Sequence, residues 1–255
     1  MSDTLPLLVI NLERSVERRH FMQQQLGGLG LSAQFLRASD GLQDDLGMIS
    51  RYDPARALRV MGHPLNAAEI GCFASHYRAW QHCVDTARAW VILEDDVRLR
   101  PGFVDSLALA AELIGQYPML RLSAMFDRQV RVVAELDRGY RLIRYLKGPY
   151  GMQAYALSPT GAQRLLDHAE VWIKAVDAYV DSFWEHGLPS LAIAPFQAIS
   201  DAQVSVGSTI GDERHRVPRP WHRALRRNAT HLGCRIRRGW FNLCWTDTPP
   251  RPRDC

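Results

Sequence analysis

The sequence has no apolar run long enough to cross a membrane. The longest stretch without a charged residue, 148–163, has 16 residues and contains two prolines, whereas a spanning helix needs about 20 apolar residues. The first residues also lack the basic region and apolar core of a secretory signal. Both absences argue against an integral membrane protein and predict a cytoplasmic one.

Closely spaced cysteine pairs are absent too. The five cysteines do not form the short pairs that build zinc sites or redox motifs, so we expect reduced thiols. What the chain does have is length and apolar content. Its 255 residues, 47% hydrophobic and 23% charged, suffice to bury a full core, which excludes a disordered or fibrous protein.

Charge is divided unevenly along the chain. Residues 1–210 carry 20 Lys and Arg against 23 Asp and Glu, a net of −3, whereas residues 211–255 carry 11 against 4, a net of +7. This division predicts a catalytic domain over 1–211 and a basic tail rich in Arg and Trp over 212–255. Such a tail suits an anionic membrane surface or nucleic acid, or it is a solvated extension whose aromatic residues pack on the body.

Short apolar runs alternate with segments of helical periodicity. Strands are expected at 5–12, 90–93 and 119–122, and a helix is expected to begin after Asn66. Continuous apolar strands are typical of sheets covered on both faces, and residues 137–139 mark a hairpin. We therefore predict an α/β fold with a mixed, mainly parallel Rossmann-type sheet flanked by helices. Two further expectations are a long loop over the polar stretch 41–64 and a single helix over 177–186.

Three consecutive acids, Glu94, Asp95 and Asp96, follow one of these predicted strands. Ligands of open α/β sheets bind beyond the carboxyl ends of strands, where these acids are expected. Alternation along a strand predicts that Glu94 and Asp96 share a face and that Asp95 points the other way. Their mutual repulsion favours a bound Mg²⁺ or Mn²⁺, which prefers hard oxygen ligands. The alternative is a solvated acidic turn neutralised by Arg98 and Arg100.

Three segments carry a resemblance to a known family through their order and separation. They are 9–12 with Arg14 and Arg18, 69–72 with Ser75 and His76, and 91–97. Together they resemble glycosyltransferase family 25, the lipopolysaccharide glycosyltransferases that also include collagen galactosyltransferases. Weaker similarity continues through 154–158 and Val176-Asp177. The resemblance implies a GT-A-like fold and an inverting, metal-dependent transfer of a sugar, most often galactose from UDP-galactose, onto a lipopolysaccharide or lipooligosaccharide.

The resemblance also implies residue roles. Asp96 is expected to ligate the metal, Glu94 to ligate it or to contact the ribose, and Asp95 to support them. Asn11 is expected to contact uridine, and Arg14, preferred over Arg18, to reach a phosphate or the acceptor. Taken alone, His76 is typical of a buried core histidine. The expected donor-binding residues are thus Asn11, Arg14, Arg18, Ser75, His76, Glu94 and Asp95, with Glu94 and Asp96 as metal ligands.

An inverting transfer needs a general base that takes the proton of the acceptor hydroxyl. Asp177 is the preferred candidate because it stands where the family pattern has an acid, although it also suits a helix N-cap. Asp181 lies one turn later on the predicted helix, and Asp127 follows the predicted strand at 119–122. These two are the other candidates.

Two other functions fit part of the pattern. A metal-dependent sugar nucleotidyltransferase would also place acids at a strand tip, but it should carry a glycine-rich phosphate loop where this chain has Asn11–Arg14. A nucleic-acid-binding protein would use the basic tail. The resemblance to family 25 instead implies a UDP-sugar and a glycolipid or oligosaccharide as partners and no nucleic acid. The tail is then expected at the anionic inner-membrane surface.

Overall fold

The computed structural model describes residues 4–43, 47–200 and 221–248. Its strands are β1 (Leu7–Asn11), β2 (Ala33–Arg37), β3 (Trp90–Glu94), β4 (Val97–Leu99), β5 (Met119–Arg121), β6 (Val130–Glu135), β7 (Arg141–Tyr145), β8 (Ala154–Leu157), β9 (Leu191–Ala194) and β10 (Ala198–Ser200). Its helices are α1 (Val16–Gly28), α2 (Pro54–Val60), α3 (Ala67–Asp85), α4 (Phe103–Leu113), α5 (Pro159–Asp167), α6 (Val176–Val180), α7 (Phe183–His186) and α8 (Trp221–Cys244). Short 3₁₀ turns occupy Ile49–Arg51 and Asp137–Gly139.

Eight strands form one mixed sheet in the order β2-β1-β3-β8-β5-β9-β7-β6. Strands β2 and β3 pair with β1 in parallel, and β9 pairs with β5 in parallel. Strand β8 runs antiparallel between β3 and β5, and the hairpin β6–β7 continues the sheet beyond β9. Strands β4 and β10 form a separate antiparallel pair. The predicted α/β class with a mixed sheet is confirmed.

Both faces of the sheet are apolar because helices cover both. Alternation along β1 sends Leu8 and Ile10 into a core shared with α3, α5 and α6, while Leu7 and Val9 enter a core shared with α1 and α4. Each fully buried leucine or isoleucine side chain of this kind contributes about 1.5–3 kcal/mol to folding. The continuous apolar strands of the sequence are therefore the strands of a three-layer α/β/α protein.

The capping signals identified in the sequence operate as predicted. Asn66 and Glu69 exchange hydrogen bonds between side chain and backbone at the start of α3, at 2.8 and 2.9 Å. Ser158 accepts from the Gly161 N–H at the start of α5, where Pro159 takes the first turn. The hairpin turns through Gly139, whose φ of 77° lies in the left-handed region that favours glycine.

Two expectations about helices were wrong. The stretch 41–64 is not a plain loop, because Asp53 caps α2 by accepting from the Arg56 N–H and Pro54 begins that helix. The segment 177–186 is not one helix either. It is interrupted between α6 and α7 at Asp181, whose carboxylate bonds to groups outside the segment instead of facing solvent.

The basic tail contains the 24-residue helix α8. The predicted domain boundary at 211 lies outside the described residues, so the division of the chain into two domains stays a prediction. Among the described helices, none is both long enough and apolar enough to cross a membrane.

Candidate active site

The candidate site lies where two neighbouring parallel strands end. Strand β1 ends at Asn11 and β3 ends at Glu94, and Ile10 is the register partner of Glu94. The chain turns after Glu94, so that Asp95 and Asp96 lie in the turn that leads to β4. The predicted position of the three acids, at the carboxyl edge of the sheet, is that found in the structure.

Asp95 faces α1 and is held by two donors. Asn11 Nδ2 donates to Asp95 Oδ2 at 2.7 Å, and Arg18 Nη1 donates to Asp95 Oδ1 at 3.2 Å. The amide nitrogen of Asn11 also donates to the Ser15 carbonyl at 3.1 Å. The Asn11 Oδ1 atom is buried and has no hydrogen-bond partner among residues 4–43, 47–200 and 221–248. It is therefore an acceptor available to a ligand N–H or O–H.

Asp96 is the acid with the least support from donors. Burial raises its pKa to about 6, the negative charge of Glu94 adds to the effect, and Arg18, 3.9 Å away, opposes it. One carboxylate oxygen, Oδ1, is buried and unpartnered within the described parts of the chain. A buried carboxylate oxygen without a donor, next to a second carboxylate, is an electrostatic arrangement that a divalent cation relieves.

Glu94 faces the opposite side from Asp95, towards α3, and is held by a buried chain of hydrogen bonds. Trp80 Nε1 donates to the Tyr155 hydroxyl at 3.0 Å, and that hydroxyl lies 3.0 Å from His76 Nδ1. His76 Nε2 lies 3.1 Å from Glu94 Oε1. Every group is satisfied when Tyr155 donates to Nδ1 and His76 donates from Nε2 to Glu94. The chain therefore fixes the orientation of the His76 ring and the direction of the Glu94 carboxylate.

A second group of possible metal ligands, which includes one sulfur atom, lies beside Glu94. The ligand atoms of Cys72, His76 and Glu94 all lie within 4.8 Å of one another, which is close enough to hold a soft metal ion. Binding there would require His76 Nε2 to lose its proton and the Cys72 thiol to ionise, although burial and the Glu94 charge raise the pKa of that thiol well above its usual value. The oxygens of Glu94 and Asp96 require neither change. The residues present thus fit a hard divalent cation better than a soft one.

Asp177, at the start of α6, is electrostatically linked to the acids of β3. Burial raises its pKa, and the Glu94 charge acts in the same direction, whereas the N–H groups of Ala178 and Gly151 and the charge of Arg121 oppose the shift. Ala175, not Asp177, is the N-cap of α6, and Asp177 Oδ1 accepts from the Ala178 N–H at 2.6 Å. A partly buried carboxylate whose pKa is raised accepts a proton more readily than an ordinary one, which suits a general base.

Asp181 belongs to a buried ion pair with Arg121. Arg121 Nη2 donates to Asp181 Oδ1 at 2.6 Å, while Arg121 Nη1 donates to the Gly151 carbonyl at 2.6 Å. The Tyr150 N–H donates to Asp181 Oδ2 at 2.8 Å. A Cβ on Gly148 would stand 1.9 Å from the Asp181 carboxyl carbon, so only glycine allows the carboxylate to approach this loop. Each carboxylate oxygen of Asp181 thus accepts a hydrogen bond inside the protein.

The other predicted residues lie outside the acid cluster. Asp127 is exposed in the loop after β5, and its charge acts on the pKa of Tyr145. Arg14 forms an ion pair with Asp40, so Arg18, rather than the preferred Arg14, is the arginine at the acids. Ser75 is buried, donating to the Gly71 carbonyl at 2.7 Å and accepting from the Ser39 N–H at 2.9 Å. It therefore joins α3 to the segment after β2.

Gly71, in the second matching segment of the sequence, permits that junction. A Cβ at this position would lie 2.7 Å from the Gly41 nitrogen and 2.8 Å from the Ser39 carbonyl oxygen. A side chain would push α3 away from the chain that leaves β2. The glycine thus allows the close approach that brings α3, and with it His76 and Cys72, up to Glu94.

The structure thus brings Asn11, Arg18 and His76 to the acids of β3, and it places Asp177 near enough for the Glu94 charge to raise the Asp177 pKa. It also adds three residues that sequence reasoning missed: Arg121, Tyr155 and Cys72. Arg121 had a detectable signal, since it is a charged residue at the end of an otherwise apolar strand. Tyr155 and Cys72 lie in the matching segments 154–158 and 69–72, but nothing in their spacing reveals which side chains they meet in the fold.

The structure therefore has a carboxylate cluster at the carboxyl edge of a mixed α/β sheet, which is the edge where open α/β sheets bind their ligands. Over residues 4–180 the sequence matches the family described as "Glycosyltransferase family 25 (LPS biosynthesis protein)". The chain belongs to glycosyltransferase family 25.

Curated relatives match over a shorter stretch. A "Glycosyltransferase 25 family member" of Aedes aegypti is 38% identical over 104 residues, which cover 38% of this chain and 17% of that protein. "Procollagen galactosyltransferase 2" of Homo sapiens is 29% identical over 115 residues, 43% of this chain and 18% of that protein. "Inactive glycosyltransferase 25 family member 3" of Mus musculus is 34% identical over 102 residues, 38% of this chain and 17% of that protein. The chain therefore spans less than a fifth of the length of these relatives, and the family contains a member named as inactive.

Proposed function

We propose that this family 25 protein is an active glycosyltransferase that moves galactose from UDP-galactose onto a lipopolysaccharide or lipooligosaccharide acceptor, with inversion at the anomeric carbon. The observation that carries the proposal is the proximity of three carboxylates, Glu94, Asp96 and Asp177. The first two lie at a strand end, the third comes from a helix distant in sequence, and the charges of all three act on the Cys72 thiol.

Asp96 and Glu94 would hold a Mn²⁺ or Mg²⁺ ion. When bound, this ion would neutralise the charge that develops on the nucleoside diphosphate as the glycosidic bond breaks. His76 keeps one oxygen of Glu94 occupied and so leaves the other, Oε2, for ligation. Arg18, which touches Asp95 and lies 3.9 Å from Asp96, is in place to contact a phosphate oxygen. The free acceptor atom Asn11 Oδ1 is suited to the N–H of the uracil ring.

Asp177 is proposed as the general base. The acceptor hydroxyl attacks the anomeric carbon, its proton passes to the Asp177 carboxylate, and the bond to the diphosphate oxygen breaks. The raised pKa of Asp177 makes its carboxylate a stronger base than that of an ordinary aspartate. Asp181 and the exposed Asp127 are weaker candidates, since the first is saturated with donors and the second lies outside the cluster.

The proposal is tested by a donor screen. UDP release is measured for UDP-galactose, UDP-glucose and UDP-N-acetylglucosamine with Mn²⁺ and a lipooligosaccharide acceptor, and the glycan products are weighed by mass spectrometry. UDP-galactose should be turned over and should add one hexose to the acceptor. Turnover of a different UDP-sugar would refute the donor assignment, and no turnover of any, by protein that binds UDP and Mn²⁺, would refute the activity. The cytoplasmic location stays a prediction, which cell fractionation tests.

A further inference from the structure

Helix α8 is fixed to the body of the protein by one of its faces. Arg144, which is 1% exposed, donates to Asn242 Oδ1 at 2.8 Å and pairs with Asp247 just beyond the helix. Asn242 in turn donates to the Leu146 carbonyl at 2.9 Å. The ring of Phe241 packs against Phe183 of α7, with centroids 5.0 Å apart. The helix is therefore part of the folded protein and presents its other face outwards.

That outward face carries a row of large apolar side chains. Leu232, Ile236, Trp240 and Leu243 are 58%, 62%, 68% and 78% exposed. Their spacing of four, four and three residues places them on one side of a helix. Single exposed apolar residues are ordinary, but four in a row on one helix face form a patch that marks an interaction surface. We call these four residues the outer stripe.

Positive charge borders the outer stripe. Arg235 and Arg237 are exposed, and by helical geometry they lie on opposite sides of the row. In the sequence of α8 there are six arginines and no acidic residue. A second copy of this chain is a poor occupant, because pairing two such helices would bring twelve like charges together. Nucleic acid is also a poor occupant, since its phosphates would contact the arginines but would leave three aliphatic side chains against a charged polymer.

An anionic bilayer surface satisfies both features at once. Its headgroup phosphates pair with arginine, and the region just beneath them accepts leucine, isoleucine and tryptophan side chains. We propose that the outer stripe lies in the interfacial layer of an anionic membrane, with Arg235 and Arg237 at the headgroup phosphates. The surface is separate from the metal and donor residues, so this proposal does not depend on the proposed sugar transfer.

The test is vesicle sedimentation with the full chain, comparing phosphatidylcholine vesicles with vesicles that also contain phosphatidylglycerol. The stripe variant Ile236→Asn/Trp240→Gln should bind anionic vesicles about tenfold more weakly or worse. The charge variant Arg235→Gln/Arg237→Gln should lose about fivefold per arginine, and only on anionic vesicles. Val132→Asn/Val171→Asn, which removes two exposed apolar side chains from elsewhere on the surface, is the matched control and should bind like the unchanged protein.

A second measurement places the stripe within the bilayer. Brominated lipid should quench the tryptophan emission of the unchanged protein, and Trp240→Leu should remove most of that quenching. Circular dichroism melting of each variant, together with UDP binding, confirms that it is folded. The proposal is overturned if the stripe variant binds anionic vesicles normally or if the unchanged protein binds neither vesicle. It also fails if the stripe instead sustains a dimer in analytical ultracentrifugation or binds an oligonucleotide in preference to the vesicles.

Discussion

Asp177 and Asp181 are four residues apart and both at least partly buried, yet the same substitution should affect them in opposite ways. Asp181→Asn removes the charge that compensates Arg121, which is only 2% exposed, and an amide group would present N–H hydrogens to donors already in place. Breaking a buried ion pair in this way costs about 3–5 kcal/mol of stability. Asp177→Asn keeps an oxygen for the Ala178 N–H, and Arg121 keeps the Asp181 carboxylate as its buried partner. Its cost in stability should stay below about 1 kcal/mol.

Activity should show the reverse order. Without a general base, Asp177→Asn should lose about 100- to 10,000-fold in kcat while UDP binding stays unchanged. Asp181→Asn, assayed well below its lowered melting temperature, should keep a larger share of its activity. Urea denaturation followed by tryptophan fluorescence gives the two stabilities, and single-turnover product formation gives the two rates.

Two results would contradict this reasoning. If Asp181→Asn unfolds at the same urea concentration as the unchanged protein, the ion pair with Arg121 does not support the fold. If Asp177→Asn transfers sugar at the normal rate, the base is another group. Because the two variants carry the same chemical change at neighbouring buried positions, each is the control for the other.

Three further predictions follow from other contacts. Asp96→Asn should lower Mn²⁺ affinity at least about 100-fold without lowering the melting temperature, since it removes repulsion with Glu94; tight Mn²⁺ binding in calorimetry would refute the ligand assignment. Tyr155→Phe and His76→Gln should each lower kcat. The double variant should lose little more activity than the worse single variant, because both residues act through Glu94. Additive losses would contradict a common action through this chain of hydrogen bonds. Burial lowers the pKa of His186 to about 4 from 6.5, so the unfolded state takes up the proton first. The free energy of unfolding should therefore fall by on the order of 3 kcal/mol between pH 6.5 and pH 4 relative to His186→Gln, and equal pH profiles in urea denaturation would contradict this.

The sequence predicted what depends on neighbouring residues. The capping box of Asn66 and Glu69, the Ser158 cap and the hairpin at Gly139 involve partners within a few positions, and all were found. The end of β3 at Glu94 was predicted because apolar strands covered on both faces stop where charge begins. These signals fixed the α/β class and the edge of the sheet where the acids lie.

What the sequence did not predict depends on distant partners. Arg121 and Asp181 are sixty positions apart, and no local pattern shows that they meet at the point where the helix predicted over 177–186 is interrupted. The prediction of a loop over 41–64 was wrong for a different reason. Pro54 was interpreted as a helix breaker, whereas proline directly after a capping Asp53 is a helix start.

Arg144 has a consequence for how this protein is shortened in the laboratory. Its guanidinium is buried within the sheet, and its partners among the described residues, Asn242 and Asp247, both lie near the C-terminus. A version that stops at residue 211 would remove the basic tail. Such a version would leave the buried Arg144 guanidinium of β7 without Asn242 and Asp247. We expect this fragment to aggregate under conditions in which the whole chain does not.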